Sequence, residues 1–581
     1  MKRKSILLLL LFGFQFLISN SLCAQDWDAL GRRPYPQWFA DAKLGIFVHW
    51  GLYSVPAYAS KEGYSEWLYR GLMSRDPGRM RAMSYFADTT LPVREMYAQL
   101  TRHWHAELWQ PADWARLFRQ AGARYVVLVT KHHDGYSLWD DPYQPLWNST
   151  VSGPRRNIVS ELTDAVRAQG LTMGFYYSLP EWSHPLHRWT LDSHDSIRRY
   201  VDSYMVPQFK HLVSTYRPDL IFADGDWDFT ADQLRSAELI DWYYRTVGPS
   251  AIVNDRWGQG TKHGFKTPEY SAGIADTTRP WAECRGIGRS FGLNRNEDLA
   301  NYLTPTALIQ HFCELVAHGG GLTLNVGPYA DGTIPLIQQE RLLALGQWLE
   351  VNGEAIYGSR PHATPCHRVS DSASLPHSTT IDFDWVRNAP LQNMPVDDFT
   401  IHWQGTYNAS DKGWYQFKAE ADDEMTVVYH GNTILYYNHA WAENKPGTKV
   451  LLKQNQEIAL DVWYREKDLE AKAALYVSTD GENYVPADGE WHGTATWQRT
   501  VRCFTTKGDN LYVIEFERPG SSLSIPDMPR LPKHARIAIL GSSAPIPWRQ
   551  KRDGTLSLDL SLVPHHELGA LAHAWVFRIE K

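Results

Sequence analysis

The chain has few cysteines for its 581 residues, and they form no recognisable metal-binding pattern. They stand far apart, at Cys23, Cys284, Cys313, Cys366 and Cys503, and no two are spaced as a CxxC pair. This spacing argues against a zinc site built from cysteine pairs. We therefore expect the stability to come from large apolar cores rather than from disulfide bonds.

Long blocks of lysine or arginine are absent as well. The formal net charge is −7 and the pI is about 6.4, so a nucleic-acid partner is disfavoured. No GxGxxG motif follows a predicted strand, and no GxxxxGK(S/T) loop occurs. These absences argue against dinucleotide-binding and P-loop sites, and we expect no cofactor.

Aromatic residues, in contrast, are abundant, with 25 Trp and 30 Tyr. Aromatic faces stack on the apolar C–H faces of sugar rings, so this composition is compatible with a carbohydrate ligand. Aromatic core packing explains the same composition equally well. The length and a mean hydropathy of −0.42 indicate a globular protein of roughly three or four domains.

The N-terminus has the pattern of a secretory signal peptide. Basic residues at 2–4 precede an apolar run at 6–18, which is too short to span a membrane, and small residues follow it. We expect cleavage after Ala24, which removes residues 1–24 and exports the protein to the periplasm or beyond the cell. Lipid attachment at Cys23 is the alternative, but the large Leu22 precedes that cysteine where such signals have a small residue.

Apolar runs alternate with amphipathic, helix-like segments between about residues 40 and 330. The segments PADWARLFRQAG and IVSELTDAVRAQG each end in Gly just before the next apolar run. This alternation predicts a parallel sheet covered by helices. We predict a (β/α)₈-like barrel over residues 25–365, with an open doubly wound sheet as the alternative.

Polar side chains follow the end of each predicted strand. They are His49, His132, His133, Asp134, Tyr176, Tyr177, Asp224, Asn254, Asp255, Arg256 and Asn325. In a barrel the carboxyl ends of all strands meet on one face, where catalytic residues gather. The sequence therefore predicts a polar pocket on that face.

The histidine pair at 132 and 133 raises the question of a metal site. Adjacent strand residues point to opposite faces, so His132 and His133 are poorly placed to bind one ion, and we expect no metal. Carboxylates, imidazoles and aromatic residues are instead typical of a sugar-cleaving site. Hydrolysis of a glycoside needs two carboxyl groups and hydrogen-bonding groups for the ring hydroxyls.

The ordered motifs of the chain resemble one enzyme family. They are WFADAKLGIFVHWGLYSVPAY, SEWLYRGLM, KHHDGYSLWD, DLIFADGDWD, NDRWG, FKTPEY, ECRGIGRSFGLNRNE and GGGLTLNVGPYADGTIP. Together they are similar to the family 29 glycoside hydrolases, the retaining α-L-fucosidases. The resemblance covers roughly residues 30–360 and resumes from RCFTTKGDNLYVIEF to the C-terminus. It implies an exo-acting α-L-fucosidase that acts on fucosylated glycans through a covalent fucosyl-enzyme intermediate.

The resemblance also implies the roles of individual residues. Asp224 corresponds to the nucleophile, and Glu269 in FKTPEY to the acid/base, with Glu283 as the alternative acid. Asp226 and Asp228 are interpreted as turn or solvent-facing residues. The implied sugar-binding set is His49, Glu66, Trp67, His132, His133, Tyr176, Tyr177, Phe222, Arg256 and Phe291. The sequence departs from the family at Phe222, where many members have Trp, and the choice between Tyr176 and Tyr177 stays open.

Two all-β regions follow the predicted barrel. Residues 366–493 alternate apolar and polar residues between turn signals, which predicts an inserted β-sandwich, similar to the protective-antigen type. Residues 494–581 resemble the small C-terminal β-sandwich of the fucosidases. Asp422 and Asp423 are interpreted as an exposed turn, with a calcium site as the alternative.

A second function class stays open at this point. A carbohydrate-binding protein without catalysis, or with altered specificity, could use the same scaffold with the inserted sandwich as its working part. The presence of both candidate carboxylates favours the enzyme.

Overall fold

The computed structural model describes residues 27–186, 194–270, 278–386, 388–392, 394–440, 444–467, 470–570 and 572–581. The chain divides into two compact units, which are Met1–Pro365 with Cys503–Lys581 and Cys366–Arg502. The predicted signal peptide, residues 1–24, lies outside the described residues. None of the helices in the described ranges is long and apolar enough to cross a membrane.

A parallel sheet forms the centre of the first unit. Its strands are β1 Leu44–Val48, β2 Tyr125–Lys131, β3 Thr172–Ser178, β4 Leu220–Asp224, β5 Ile252–Val253, β6 Ala282–Gly286 and β7 Gly321–Val326. The strand order is β5-β4-β3-β2-β1-β7-β6, so β1 lies between β2 and β7. Nearly every residue of these strands is buried, as expected for strands covered on both faces.

Residues 265–269 connect the two outer strands of this order. Parallel bridges pair Asn254 with Phe265, just beyond β5, and Glu269 with Cys284 in β6. This irregular segment takes the eighth position and closes the sheet into a barrel. The structure therefore confirms the predicted barrel-like fold class and excludes an open doubly wound sheet.

Helices cover the barrel between its strands. Their bounds are α1 Trp27–Gly31, α2 Gln37–Ala42, α3 Leu68–Met73, α4 Pro77–Met83, α5 Val93–Ala98, α6 Pro111–Gln120, α7 Ile158–Ala168, α8 His194–Tyr200, α9 Val206–Tyr216, α10 Ser236–Val247, α11 Pro305–Ala317 and α12 Leu336–Asn352. A π-helical turn, Val201–Met205, joins α8 to α9. The glycines that follow α6 and α7, Gly122 and Gly170, have φ of +86° and +70°, a region that glycine enters without strain.

The second unit consists of β-strands. The strands that lie wholly or partly in this unit are β8 Arg360–Ser374, β9 Asp382–Val386, β10 Phe399–Ala409, β11 Gly413–Asp422, β12 Glu424–Tyr429, β13 Asn432–Asn438, β14 Val450–Leu452, β15 Gln456–Glu466, β16 Ala471–Ser478, β17 Val485–Pro486 and β18 Gly489–Lys507. One sheet orders β13-β12-β15-β10-β18, and another orders β14-β11-β16-β17. Their inner faces share one apolar core, so this unit is a β-sandwich, as predicted.

Two features of this region differ from the sequence-based expectations or extend them. Cys366 and Cys503 are disulfide-bonded, whereas the sequence-based expectation was that stability comes from large apolar cores rather than from disulfide bonds. Cys284 and Cys313 are free and buried. Asp423 is partly buried, and its Oδ2 accepts a hydrogen bond from the Lys467 backbone at 2.7 Å.

The chain returns to the first unit for its last strands. They are β19 Asn510–Glu515, β20 Ser522–Ile525, β21 Arg536–Ile539, β22 Trp548–Gln550, β23 Leu556–Asp559 and β24 Trp575–Glu580, with α13 His565–Ala570 before β24. β24 pairs with β19 and β21, and β23 pairs with β20 and β22, around a common core. The Trp348 indole of α12 donates to the Ala574 carbonyl at 3.0 Å, which ties this sandwich to the barrel.

Candidate active site

The polar strand ends meet at a pocket on the carboxyl face of the barrel, as the sequence predicts. The pocket is lined by Phe47, His49, Tyr64, Glu66, Trp67, His132, Tyr176, Phe222, Asp224, Trp227, Arg256, Glu269, Cys284 and Phe291. Most of the predicted site residues are in this lining. His133 lies directly behind it, and Tyr177 points elsewhere.

Asp224 is the last residue of β4, and its side chain is 13% exposed. Its Oδ2 accepts a hydrogen bond from the Tyr176 hydroxyl at 2.8 Å, and its Oδ1 accepts one from Arg256 Nη1 at 3.3 Å. Burial alone would raise the pKa of Asp224. A hydrogen bond from His133 and the charge of Arg256 outweigh burial and hold that pKa well below its ordinary range. The carboxylate is therefore ionised, as a nucleophile must be.

His133 supports Asp224 from behind. Its Nε2 lies 3.4 Å from Asp224 Oδ2, and its Nδ1 lies 2.6 Å from the Ser178 hydroxyl at the end of β3. The Ser178 hydroxyl itself donates to the Pro180 carbonyl at 2.6 Å. The contact between His133 Nδ1 and the Ser178 hydroxyl orients the ring with Nε2 directed at the Asp224 carboxylate.

Glu269 belongs to the irregular segment that closes the barrel. Its side chain is 30% exposed, more than that of Asp224. Its Oε1 accepts a hydrogen bond from the Tyr64 hydroxyl at 2.8 Å, and its Oε2 accepts one from Arg256 Nη2 at 3.0 Å. Arg256 thus contacts both candidate catalytic carboxyl groups with one guanidinium. The two carboxyl groups therefore lie beside one planar side chain, each at a different terminal nitrogen.

His49 and His132 line the pocket as neutral rings. The Nδ1 of His49 lies 2.6 Å from the Asn325 side-chain oxygen, while Nδ1 of His132 has no hydrogen-bond partner among the described residues. Burial lowers the pKa of His49 to about 4 and that of His132 well below its ordinary value. A neutral imidazole offers one donor and one acceptor, which suits sugar hydroxyls. No three His, Cys, Asp or Glu side chains in the described ranges are grouped to hold a metal ion.

Glu66 and Trp67 come from the 3₁₀ turn Ser65–Trp67. Glu66 is almost fully buried, and its Oε2 accepts a hydrogen bond from the Gly292 backbone at 2.7 Å. Burial raises the pKa of Glu66 to about 7. The Phe291 ring lies beside the His49 ring at 5.0 Å between centroids, and it forms part of the apolar wall.

Tyr176 and Tyr177 are distinguished by the alternation of the strand. Tyr176 faces the pocket and donates to Asp224. Tyr177 faces the opposite side, where its hydroxyl donates to Gln208 at 2.7 Å and Lys131 Nζ lies 4.1 Å from its ring centre. Phe222, two residues before Asp224, lines the pocket below the Arg256 guanidinium at 5.6 Å.

Glu283, the alternative acid, points away from the pocket. Its neighbour Cys284 lines the pocket, so Glu283 faces the helical layer. There its Oε2 lies 2.5 Å from His311 Nε2, and its Oε1 lies 3.6 Å from Arg285. Asp226 is partly buried and Asp228 is exposed, and neither lines the pocket.

Four lining residues were not predicted: Phe47, Tyr64, Trp227 and Cys284. Tyr64 directly precedes the SEW motif, and Trp227 lies three residues after Asp224, 36% exposed at the mouth. Both are sequence neighbours of predicted site residues, and that adjacency was the available signal. Phe47 and Cys284 resemble ordinary buried strand residues in the sequence, so only the register shows that they face the pocket.

Comparison with known proteins agrees with this arrangement. The Alpha-L-fucosidase family profile matches residues 16–354, and the PA14 domain profile matches residues 365–491. An α-L-fucosidase of Dictyostelium discoideum is 38% identical over 367 residues, which are 61% of this chain and 79% of that protein. The tissue α-L-fucosidase of Homo sapiens is 37% identical over 343 residues, which are 58% of this chain and 72% of that protein.

A solved structure is similar over nearly the whole chain. The Thermotoga maritima α-fucosidase in complex with a mechanism-based inhibitor is 27% identical, with a TM-score of 0.64, over 96% of this chain and 99% of that chain. The family profile alone matches more than half of the present sequence. This chain belongs to the α-L-fucosidase family of glycoside hydrolases.

Proposed function

We propose that the protein is an exported, exo-acting α-L-fucosidase that releases terminal fucose with net retention through a covalent fucosyl-enzyme intermediate. The observation that carries the proposal is the pair of carboxyl groups, Asp224 and Glu269, that share the Arg256 guanidinium at the carboxyl face of the barrel. Retaining hydrolysis needs two carboxyl groups that face each other across the scissile bond.

In the first step Asp224 attacks the anomeric carbon. Its carboxylate is ionised and held by Tyr176, His133 and Arg256, so one oxygen is oriented for the attack without rearrangement. As the bond to the leaving oxygen breaks, Glu269 donates its proton to that oxygen. The product is a fucosyl ester on Asp224 and an ionised Glu269.

In the second step Glu269 acts as the base. It takes a proton from water, whose oxygen attacks the anomeric carbon and displaces Asp224 as a carboxylate. The 30% exposure of the Glu269 side chain gives water access to this residue, whereas Asp224 is more enclosed. His49, His132 and Glu66 supply hydrogen-bonding groups for the ring hydroxyls.

The relatives support the substrate. A Thermotoga maritima α-fucosidase 26% identical to this chain was solved in complex with fucose. The neutral, buried imidazoles and the aromatic wall of the present pocket fit a small sugar with both hydroxyls and an apolar edge. No feature of the pocket favours binding without catalysis, since both carboxyl groups are present and directed into it.

Export is proposed from the first residues of the sequence. The basic start and short apolar run within residues 1–24 have the pattern of a cleaved signal. The disulfide-bonded state of Cys366 and Cys503 is consistent with an oxidising compartment. N-terminal sequencing of the mature protein from fractionated cells tests this proposal, and an intact Met1 in the cytoplasm would contradict it.

The decisive experiment combines product stereochemistry with rescue. The wild type should release α-fucose from an aryl α-L-fucoside as the first product seen by NMR. Asp224→Gly should lose nearly all turnover, and added azide should restore it and yield β-fucosyl azide. Release of β-fucose by the wild type, or normal turnover by Asp224→Gly, would contradict the proposed mechanism.

A further inference from the structure

Arg256 contacts both carboxyl groups, and the uncharged residue Thr267 also holds it in place. Its Nε donates to the Thr267 hydroxyl at 3.1 Å, and its Nη2 donates to the Thr267 carbonyl at 3.0 Å. The Thr267 hydroxyl donates in turn to Asp255 Oδ1 at 3.1 Å, which leaves its lone pairs for Arg256. This double contact fixes the guanidinium plane whatever the charge on Asp224 or Glu269.

The remaining donors point at the carboxyl groups. Nη1 reaches Asp224 at 3.3 Å and Nη2 reaches Glu269 at 3.0 Å. Burial alone would lower the pKa of Arg256, but negative charge on the neighbouring carboxyl groups raises it well above its ordinary value. The guanidinium therefore stays charged throughout.

In the proposed reaction one negative charge moves from Asp224 to Glu269, the two carboxyl groups that the Arg256 guanidinium contacts. Before the first step Asp224 is a carboxylate and Glu269 carries a proton. After it Asp224 is an ester, because its oxygen has bonded to the anomeric carbon, and Glu269 is a carboxylate, because its proton has left with the departing oxygen. Attack by water reverses both changes, so the two groups together carry a single negative charge at each stage.

We propose that Arg256 keeps the site electrically balanced through both steps by pairing first with the Asp224 carboxylate and then with the Glu269 carboxylate. This inference rests on the proposed function and changes the predicted role of Arg256 from sugar binding to catalysis. A charge that is already in position for both states needs no reorganisation as the negative charge moves. The Thr267 anchor provides that position.

Kinetics of Arg256→Met and Arg256→Lys test the proposal. With an aryl fucoside whose phenolate leaves without a proton, the burst phase reports fucosylation and the steady state reports hydrolysis of the ester. Arg256→Met should slow both steps by about 100-fold, with little change in KM. Arg256→Lys keeps the charge but cannot contact both groups as a fork, so it should slow both steps less.

The pH profile separates this role from a merely structural one. Loss of the neighbouring positive charge raises the pKa of Asp224, so the acid limb of kcat/KM should move to higher pH in Arg256→Met. It should stay near the wild-type position in Arg256→Lys. Thr267→Val, which removes one anchor and no charge, should lower kcat without moving the limb, and Thr267→Ser should restore kcat.

The control is Arg235→Met, since Arg235 pairs with Asp202 and Glu238 outside the pocket. It should leave both steps and the pH profile unchanged. A raised KM with unchanged kcat in Arg256→Met would overturn the proposal in favour of sugar binding, and so would an effect on one step alone. If Arg256→Met fails to fold, the rates of the same two steps in Arg256→Lys and Thr267→Val decide whether the proposal holds. Retention and azide rescue at Asp224 test the proposed function separately, so the two can fail independently.

Discussion

The active-site residues come from two kinds of backbone. His49, His132, Tyr176 and Asp224 lie at or just beyond the ends of regular strands of the barrel. Glu66, Arg256, Glu269 and Phe291 lie on turns and irregular segments. The side chains of the first group are buried and form their contacts inside the barrel, whereas the Glu269 side chain is 30% exposed. The regular strands hold the proposed nucleophile Asp224 rigidly. The irregular segments provide Glu269, which must exchange protons with water.

Ionisation differs between the two groups for a physical reason. Asp224 is buried beside a guanidinium and a histidine, and its pKa is lowered. Glu66 is equally buried, but its carboxylate is held by uncharged donors, and its pKa rises to about 7. Burial alone therefore favours a protonated carboxyl, whereas the Arg256 guanidinium beside Asp224 favours the charged form of that acid.

The largest effect on kcat should come from replacing Asp224, the acid at the end of β4. Asp224→Asn should lower kcat by roughly 10⁴-fold, because the variant lacks the carboxylate that is proposed to form the covalent intermediate. Asp226→Asn, two residues away on the loop, should stay within about twofold of wild type. Steady-state kinetics on an aryl fucoside check both. Equal losses in the two variants would show that the end of the strand is not the decisive position.

The effect of replacing Glu269 should depend on the leaving group of the substrate, since Glu269 supplies the proton. Glu269→Gln should lower kcat/KM for fucosylated oligosaccharides about 100-fold more than for an aryl fucoside with an acidic phenol. The matched control is Glu283→Gln, which should lower the thermal midpoint by weakening the contact with His311 and leave the leaving-group pattern intact. The opposite result would move the acid from the irregular segment to β6.

A smaller effect is expected at Tyr64. Tyr64→Phe removes the hydrogen bond to Glu269 Oε1, a contact worth roughly 1 kcal/mol, so kcat should fall by about fivefold. Tyr177→Phe also removes a buried hydroxyl, but one that faces Gln208, so it should reduce stability and not kcat. Thermal melts and kinetics on both variants separate the two sides of the site. Loss of kcat in Tyr177→Phe alone would reverse this distinction.

The last effect concerns the pH dependence of stability and not turnover. The folded state keeps the Glu66 proton until about pH 7, while the unfolded state loses it near the ordinary value of 4.5. Between these values the folded state binds more protons, so the contribution is complete below pH 4.5 and is lost as pH rises through 7. The difference is on the order of 3 kcal/mol. Thermal midpoints of wild type and Glu66→Gln at pH 5 and 8 measure it, and parallel pH dependence in both would contradict it.

The two kinds of backbone also differ in how well the sequence predicts them. Continuous apolar runs that end in polar residues predicted the barrel and the strand-end residues, because burial on both faces leaves a readable pattern. Glu66, Trp67, Glu269 and Phe291 were predicted from family resemblance alone. Nothing in the local pattern indicates which way a turn residue points.

The closing segment shows why residue patterns were insufficient there. Residues 265–269 contain Lys266 and Pro268 and have no strand-like alternation. Their position depends on long-range bonds, such as the one from the Phe265 backbone to Val253 at 3.0 Å. The pairing of β8 with β18 likewise joins distant parts of the sequence, and the disulfide-bonded cysteines lie on these two strands. Such contacts are set by tertiary structure, which local propensity does not encode.

The discontinuity of the first unit has a consequence for synthesis on the ribosome. The hydrogen bond from Trp348 to Ala574 joins one residue that precedes the inserted sandwich in the sequence to one that follows it. The barrel emerges first but lacks its final packing partner until the last strand, β24, has been translated. The inserted sandwich is a compact unit of one continuous stretch, Cys366–Arg502, so we expect it to fold before the barrel receives its last strand. We therefore expect the barrel, although its sequence precedes that of the sandwich, to complete its packing last.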